Sequence, residues 1–156
     1  MTQTAQTLST DATAQIAEAL NQCVAETVVT TMLAQNFHWN VTGMAFGPLH
    51  DLFQKIYEDH FIAQDDLAER IKALNTHAEG TLAGMLKRSK VSEADGVPSA
   101  EDMIRIMKEA QETLAETIAG AGELAASHGD TLTEDLCIAR GQTHEKFAWM
   151  LRSHIA

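Results

Sequence analysis

Four side chains between Asn36 and Ile71, His38, His50, Asp65 and Glu69, are of the types that bind transition metals, and their spacing restricts how they can do so. Imidazole together with carboxylate suits iron, zinc or manganese better than calcium, which takes oxygen ligands. His38 and His50 stand six residues on either side of Met44, at the tip of an expected helical hairpin, so they face one another across it. Asp65 and Glu69 are one four-residue step apart, which puts both carboxylates on one helix face, able to chelate one hard cation. Asp65 lies fifteen residues beyond His50, however, which is roughly 22 Å along an α-helix. No single ion spans that distance. Two such helices packed antiparallel across a two-fold axis bring the histidine end of one chain to the carboxylate end of the other, and self-complementarity then makes two identical sites.

The same residues have plainer readings. Acidic pairs at i,i+4 are common on solvated helix faces, and Glu69-Arg70 reads equally as surface charge. A histidine beside a tryptophan, as His38 is beside Trp39, is often half-buried and structural. His60, His77, His128, His144 and His154 have no partner at ligand spacing and are read as structural or surface residues. Trp39 and Phe46 are read as packing residues.

The elements that must position these groups are helical. At 156 residues the chain is long enough for a sizeable core and short for a second domain, so a single domain over 1–156 is expected. Apolar residues make up 45% of it and proline occurs twice, which favours helix over sheet. Ile16, Leu20, Cys23, Val24, Val28 and Met32 recur at three- and four-residue steps, predicting a first helix from about Asp11 to Phe37, preceded by a flexible segment over 1–10. Pro48, tolerated in a first turn, opens a second helix with Leu49, Leu52, Phe53, Ile56, His60, Ala63, Leu67 and Leu74 on one face. A long connection from His77 to Pro98 leaves room for a short helix over Thr81 to Arg88. Ser99 and Asp102 start a third helix that runs to about Ser127. Gly129 ends it, and Thr131 or Thr133 is expected to cap a fourth, whose inner face takes Leu136, Ala139, Thr143, Phe147, Met150 and Leu151. The expected architecture is all-α: a ferritin-like four-helix bundle whose long crossover carries a short helix between the second and third helices. Cys23 and Cys137 lie inside helical patterns with no zinc spacing and are read as reduced core thiols.

His38-Trp39, Gly43, Phe46, Leu49-His50 and Asp65-x-x-Ala68-Glu69-Arg70-Ile71 together resemble the signature of the Dps family, the DNA-binding proteins from starved cells. The resemblance extends over most of the chain, through the short crossover helix and Trp149-Met150-Leu151. It implies a hollow dodecamer that oxidises ferrous iron, typically with hydrogen peroxide, at two-fold interfaces, stores ferric mineral and so protects against oxidative stress. It also implies His38 and His50 as ligands from one subunit and Asp65 and Glu69 as ligands from the other. Four residues after His50 the family usually places a carboxylate, whereas this chain has Gln54. Gln54 is therefore a further candidate ligand, and the expectation is that one iron binds well and a second binds weakly. The alternative is a Dps-like cage whose impaired ferroxidase centre leaves it mainly a protective or metal-binding protein. A maxi-ferritin needs Glu-x-x-His pairs within one bundle, and the sequence contains none.

Asp130, Glu134 and Asp135 resemble the acidic segment that lines the family's three-fold pores, although acidic residues favour the first turn of any helix. The net charge of −11 attracts cations and repels nucleic acid, and no lysine or arginine precedes Lys55, so direct DNA binding is expected to be weak. No segment reaches the roughly 18 apolar residues of a membrane span and no secretory leader is apparent, so a cytoplasmic location is expected.

Overall fold

A computed structural model describes residues 7–156, which form five helices: α1 (Thr10–Asn40), α2 (Phe46–Ala73), α3 (Leu82–Arg88), α4 (Ala100–Ser127) and α5 (Thr131–Arg152). Their ends follow from local chemistry. The Ser9 hydroxyl accepts from the Ala12 N–H at 3.1 Å and opens α1. Gly43, at φ 101, lets the chain reverse between α1 and α2, and Pro48 falls in the first turn of α2, where its missing N–H costs nothing. Thr81 caps α3 through the Gly84 N–H, and Ser99 caps α4 by accepting from the Asp102 N–H while donating to the Asp102 carboxylate.

Two expectations are corrected here. The cap of α5 is Asp130, not Thr131 or Thr133: Gly129, at φ 76, turns the chain so that the Asp130 carboxylate accepts from the Thr133 N–H at 3.2 Å. The inner face of α5 is also rotated from the expected one. Thr133, Cys137, Arg140, His144, Ala148 and Leu151 are buried, whereas Ala139 is exposed. The true face carries polar groups that find partners in the core, so counting apolar residues alone picked a neighbouring stripe. Of the segment expected to be flexible, residues 1–6 lie outside those described, while Ser9 and Thr10 already belong to the start of α1.

Helices α1 and α2 pack as one hairpin, α4 and α5 as another, and α1 lies beside α4; α3 crosses over α1. Helix α5 is diagonal to α1, with no Cα of one within 8 Å of a Cα of the other. Cys23 and Cys137 are therefore too far apart for a disulfide, which needs about 7 Å or less, and burial pushes the thiol of Cys137 up to about 12. The bundle has two apolar clusters. Phe37, Leu49, Phe53, Ile56, Met107 and Leu151 fill the end near the α1–α2 turn, and Ile16, Leu20, Leu67, Ile71 and Ile118 fill the other. Along α2, α4 and α5, the buried residues between these clusters include His60, Gln111 and His144.

Candidate metal centre

The α1–α2 hairpin brings His38, at the end of α1, against His50, in the second turn of α2. Their rings stack with centroids 3.7 Å apart and planes at 20°. Each imidazole is held by the other residue's backbone: His38 Nδ1 lies 2.8 Å from the His50 carbonyl oxygen, and His50 Nδ1 lies 2.8 Å from the His38 carbonyl oxygen. A carbonyl can only accept, so both Nδ1 atoms carry hydrogen. In the neutral rings both Nε2 atoms are then lone-pair donors, the protonation state that a metal ligand needs. Phe46 stacks on the outer side of His50 at 5.0 Å and Tyr57 meets His38 edge-on at 5.3 Å. Phe46 thus packs on the His50 ring, while Trp39 is 61% exposed and packs less than expected.

Asp65 and Glu69 lie on the exposed face of the same uninterrupted helix, and neither carboxylate has a hydrogen-bond partner among the described residues. Glu69 is not neutralised by its neighbour. Arg70 instead points inward, its Nη2 donating to Asp130 at 2.8 Å and its Nε to the Thr133 hydroxyl at 2.8 Å. Fifteen residues of continuous α2 separate His50 from Asp65, roughly 22 Å, so within one chain the histidine pair and the carboxylate pair stand apart along one helix. Among the described residues no group of three or more His, Cys, Asp or Glu side chains converges.

Gln54, one turn beyond His50, is half-buried and donates from Nε2 to the Glu58 carboxylate at 2.7 Å. Between the two pairs α2 exposes Phe61 and Ile62, 64% and 63% exposed, alongside the charged Asp51, Lys55 and Glu58. Leu82 is 79% exposed, and Met32, Trp39 and Leu86 join Phe61 and Leu82 around a cleft of about 680 Å³.

Of the pore candidates, Glu134 is half-buried and Asp135 exposed. Asp130 is fully buried, engaged as the cap of α5 and as the partner of Arg70. Its carboxylate joins the end of α2 to the start of α5 and does not face solvent.

A buried polar layer escaped the sequence reading. His144 Nδ1 lies 2.9 Å from Gln111 Oε1, Gln111 Nε2 lies 3.0 Å from His60 Nε2, and His60 Nδ1 lies 2.9 Å from Asp59 Oδ2. Arg140 clamps Asp59 with two hydrogen bonds of 3.2 and 2.7 Å. Donors and acceptors match along the chain only when His60 is neutral with its hydrogen on Nδ1, and when His144 carries hydrogen on Nδ1. Burial pushes His60 down and His144 down to about 2. Burial alone would raise the Asp59 carboxyl, but the hydrogen bonds from His60 and Arg140 hold it well below the usual carboxylate range. The available signal was the stripe Cys137, Arg140 and His144, at steps of three and four residues along one helix.

This bundle, with its long crossover and its divided histidine and carboxylate pairs, defines a ferritin-like protein, and the ferritin-like domain profile matches residues 17–156. The chain is 35% identical to General stress protein 20U of Bacillus subtilis, over 90% of this chain and 97% of that protein. It is 36% identical to DNA protection during starvation protein 2 of Bacillus anthracis, again over 90% and 97%. The crystal structure of a Dps protein from Vibrio cholerae O1, described as a member of a broad superfamily of ferritin-like diiron-carboxylate proteins, matches with a TM-score of 0.93 at 29% identity, covering 100% of this chain and 98% of that one. Dps from Staphylococcus aureus matches with a TM-score of 0.88 at 34% identity, covering 90% and 95%. The chain belongs to the Dps family of ferritin-like proteins.

Proposed function

We propose that the protein is an iron-oxidising, iron-storing mini-ferritin, its ferroxidase sites shared between two chains across a two-fold axis. The observation that carries this reading is the reciprocal imidazole-to-carbonyl pairing of His38 and His50, which in the neutral rings leaves both Nε2 atoms as lone-pair donors. The unpaired Asp65 and Glu69 at the other end of α2 complement them. Antiparallel packing of two α2 helices covers the exposed Phe61 and Ile62 and brings each histidine pair to the partner's carboxylates. Two neutral nitrogens and two carboxylates then balance the charge of one ferrous ion.

Ferrous iron is the substrate, and hydrogen peroxide is the proposed oxidant. Two ferrous ions each lose one electron, and the peroxide takes both electrons with two protons to give two water molecules. Ferric iron is stored as mineral inside a closed homo-oligomer, a dodecamer in this reading, which lowers the supply of reactants for radical chemistry and protects a cytoplasmic cell interior. Glu134 and Asp135 are the proposed cation entry, with Asp130 serving as their structural anchor. Direct DNA binding is weak, given the net charge of −11.

The test is anaerobic ferrous titration followed by peroxide addition. His38→Ala/His50→Ala should lower both binding and oxidation more than about tenfold, since even outer partners of metal ligands cost about 10–100-fold; an unchanged rate sinks the site. A second reading, a protective cage with an impaired centre, draws on Gln54, a neutral amide committed to Glu58. Peroxide-driven oxidation no faster than that of His38→Ala/His50→Ala would favour it.

A further inference from the structure

From the Gln54–Glu58 contact we infer that Glu58 is a positioning residue for metal binding: it holds the amide nitrogen of Gln54 and so leaves the amide oxygen as a neutral ligand for the second ferrous ion. This rests on the proposed site. A carboxylate can only accept, so the 2.7 Å contact assigns the Nε2 end of Gln54 to Glu58 and frees Oε1. The helical neighbours of Gln54 are His50 and Asp51 in the turn before and Tyr57 and Glu58 in the turn after. With Nε2 drawn toward Glu58, the oxygen is free on the side of the amide away from that anchor. Without such an anchor the amide could present either end to a cation, and the NH2 end repels it.

Glu58 also returns part of what the chain loses by having an amide at position 54. Its exposed carboxylate carries a full negative charge one turn from the amide and polarises it through the hydrogen bond, so Oε1 becomes a better donor to a cation. The pair Gln54–Glu58 thus divides between two residues the work of one ligand: Gln54 supplies the donor atom and Glu58 the charge and the orientation. Both side chains lie at the surface of α2, so substitutions there leave the core untouched.

The experiment is an anaerobic titration of the assembled protein with Co2+, followed by its visible absorption, in four proteins: the native sequence, Glu58→Gln, Gln54→Glu and the double variant. In the native background Glu58→Gln should weaken the weaker Co2+ site by at least about tenfold, the scale on which outer partners of ligands act. In the Gln54→Glu background a carboxylate already occupies the ligand position, so Glu58→Gln should cause no loss. Equal losses in both backgrounds overturn the proposal, because Glu58 would then act as an independent surface charge, and so does the absence of loss in the native one. His38→Ala/His50→Ala is titrated alongside: if it still binds Co2+ like the native protein, the shared site itself is wrong, a result distinct from a failure of Glu58 alone.

Discussion

Lowering the pH should destabilise this protein through its core, and His144→Leu should remove much of that sensitivity. His144 has an ordinary value of 6.5 and is pushed down to about 2 in the folded chain, first by burial and then by repulsion from His60 and Arg140. The unfolded chain therefore takes up a proton that the folded chain refuses, so stability is complete above pH 6.5 and falls as the pH drops below it. At pH 4.5 the loss from His144 alone is two pH units at about 1.4 kcal/mol each, or about 3 kcal/mol. His60, also shifted downward, adds in the same direction, and the depressed Asp59 adds a further loss below its unfolded value of 3.8. His144→Leu leaves Gln111 Oε1 without its donor, which costs about 1–3 kcal/mol at neutral pH. The native protein should thus be the more stable at pH 7.5, and the gap should close or reverse by pH 4.5. Urea midpoints at four pH values and one fixed protomer concentration measure this, the fixed concentration cancelling the contribution of assembly. A gap that stays constant from pH 7.5 to 4.5 refutes the reasoning.

Arg70→Met leaves the fully buried Asp130 without its ionic partner, so it should cost about 3–5 kcal/mol in urea unfolding; a loss under 1 kcal/mol would show the pair to be dispensable. Glu134→Gln/Asp135→Asn should slow ferrous uptake by the assembled particle while leaving equilibrium binding at His38 and His50 unchanged, which stopped-flow and anaerobic titration separate. Gel shifts with duplex DNA should show no robust complex at moderate salt, and a complex equally strong at low and moderate salt would contradict the electrostatic reading.

Much of the bundle was legible because apolar periodicity and end signals agreed. Ser99 caps α4 as its spacing with Asp102 indicated, and every residue assigned to the inner face of α2 is buried, whereas the caps at Ser9 and Thr81 had not been read from the sequence. Helix α5 was less legible because its core stripe is built from Arg140, His144 and Thr133, whose burial depends on partners on α2 and α4 far away in sequence. The same limit hid the role of Asp130: nothing local reveals that Arg70, sixty residues earlier, will reach it. The candidate site was legible in a different way. A fixed helical rise separates His50 from Asp65 whatever the packing, so the separation of the histidine pair from the carboxylate pair follows from spacing alone. The reciprocal carbonyl contacts that set the tautomers of His38 and His50 depend on the backbone of the hairpin turn and could not be read from residue types.

The shared site is tested most directly by subunit complementation. One chain carries His38→Ala/His50→Ala and the other Asp65→Ala/Glu69→Ala, and the two are unfolded, mixed in equal amounts and reassembled. Each mixed pair then regains one intact site, with histidines from the second chain and carboxylates from the first, and random pairing restores about a quarter of the native sites. Ferrous oxidation by peroxide should therefore return to about a quarter of the native rate, although each variant alone is inactive. A mixture as inactive as its components would contradict a site shared between two chains.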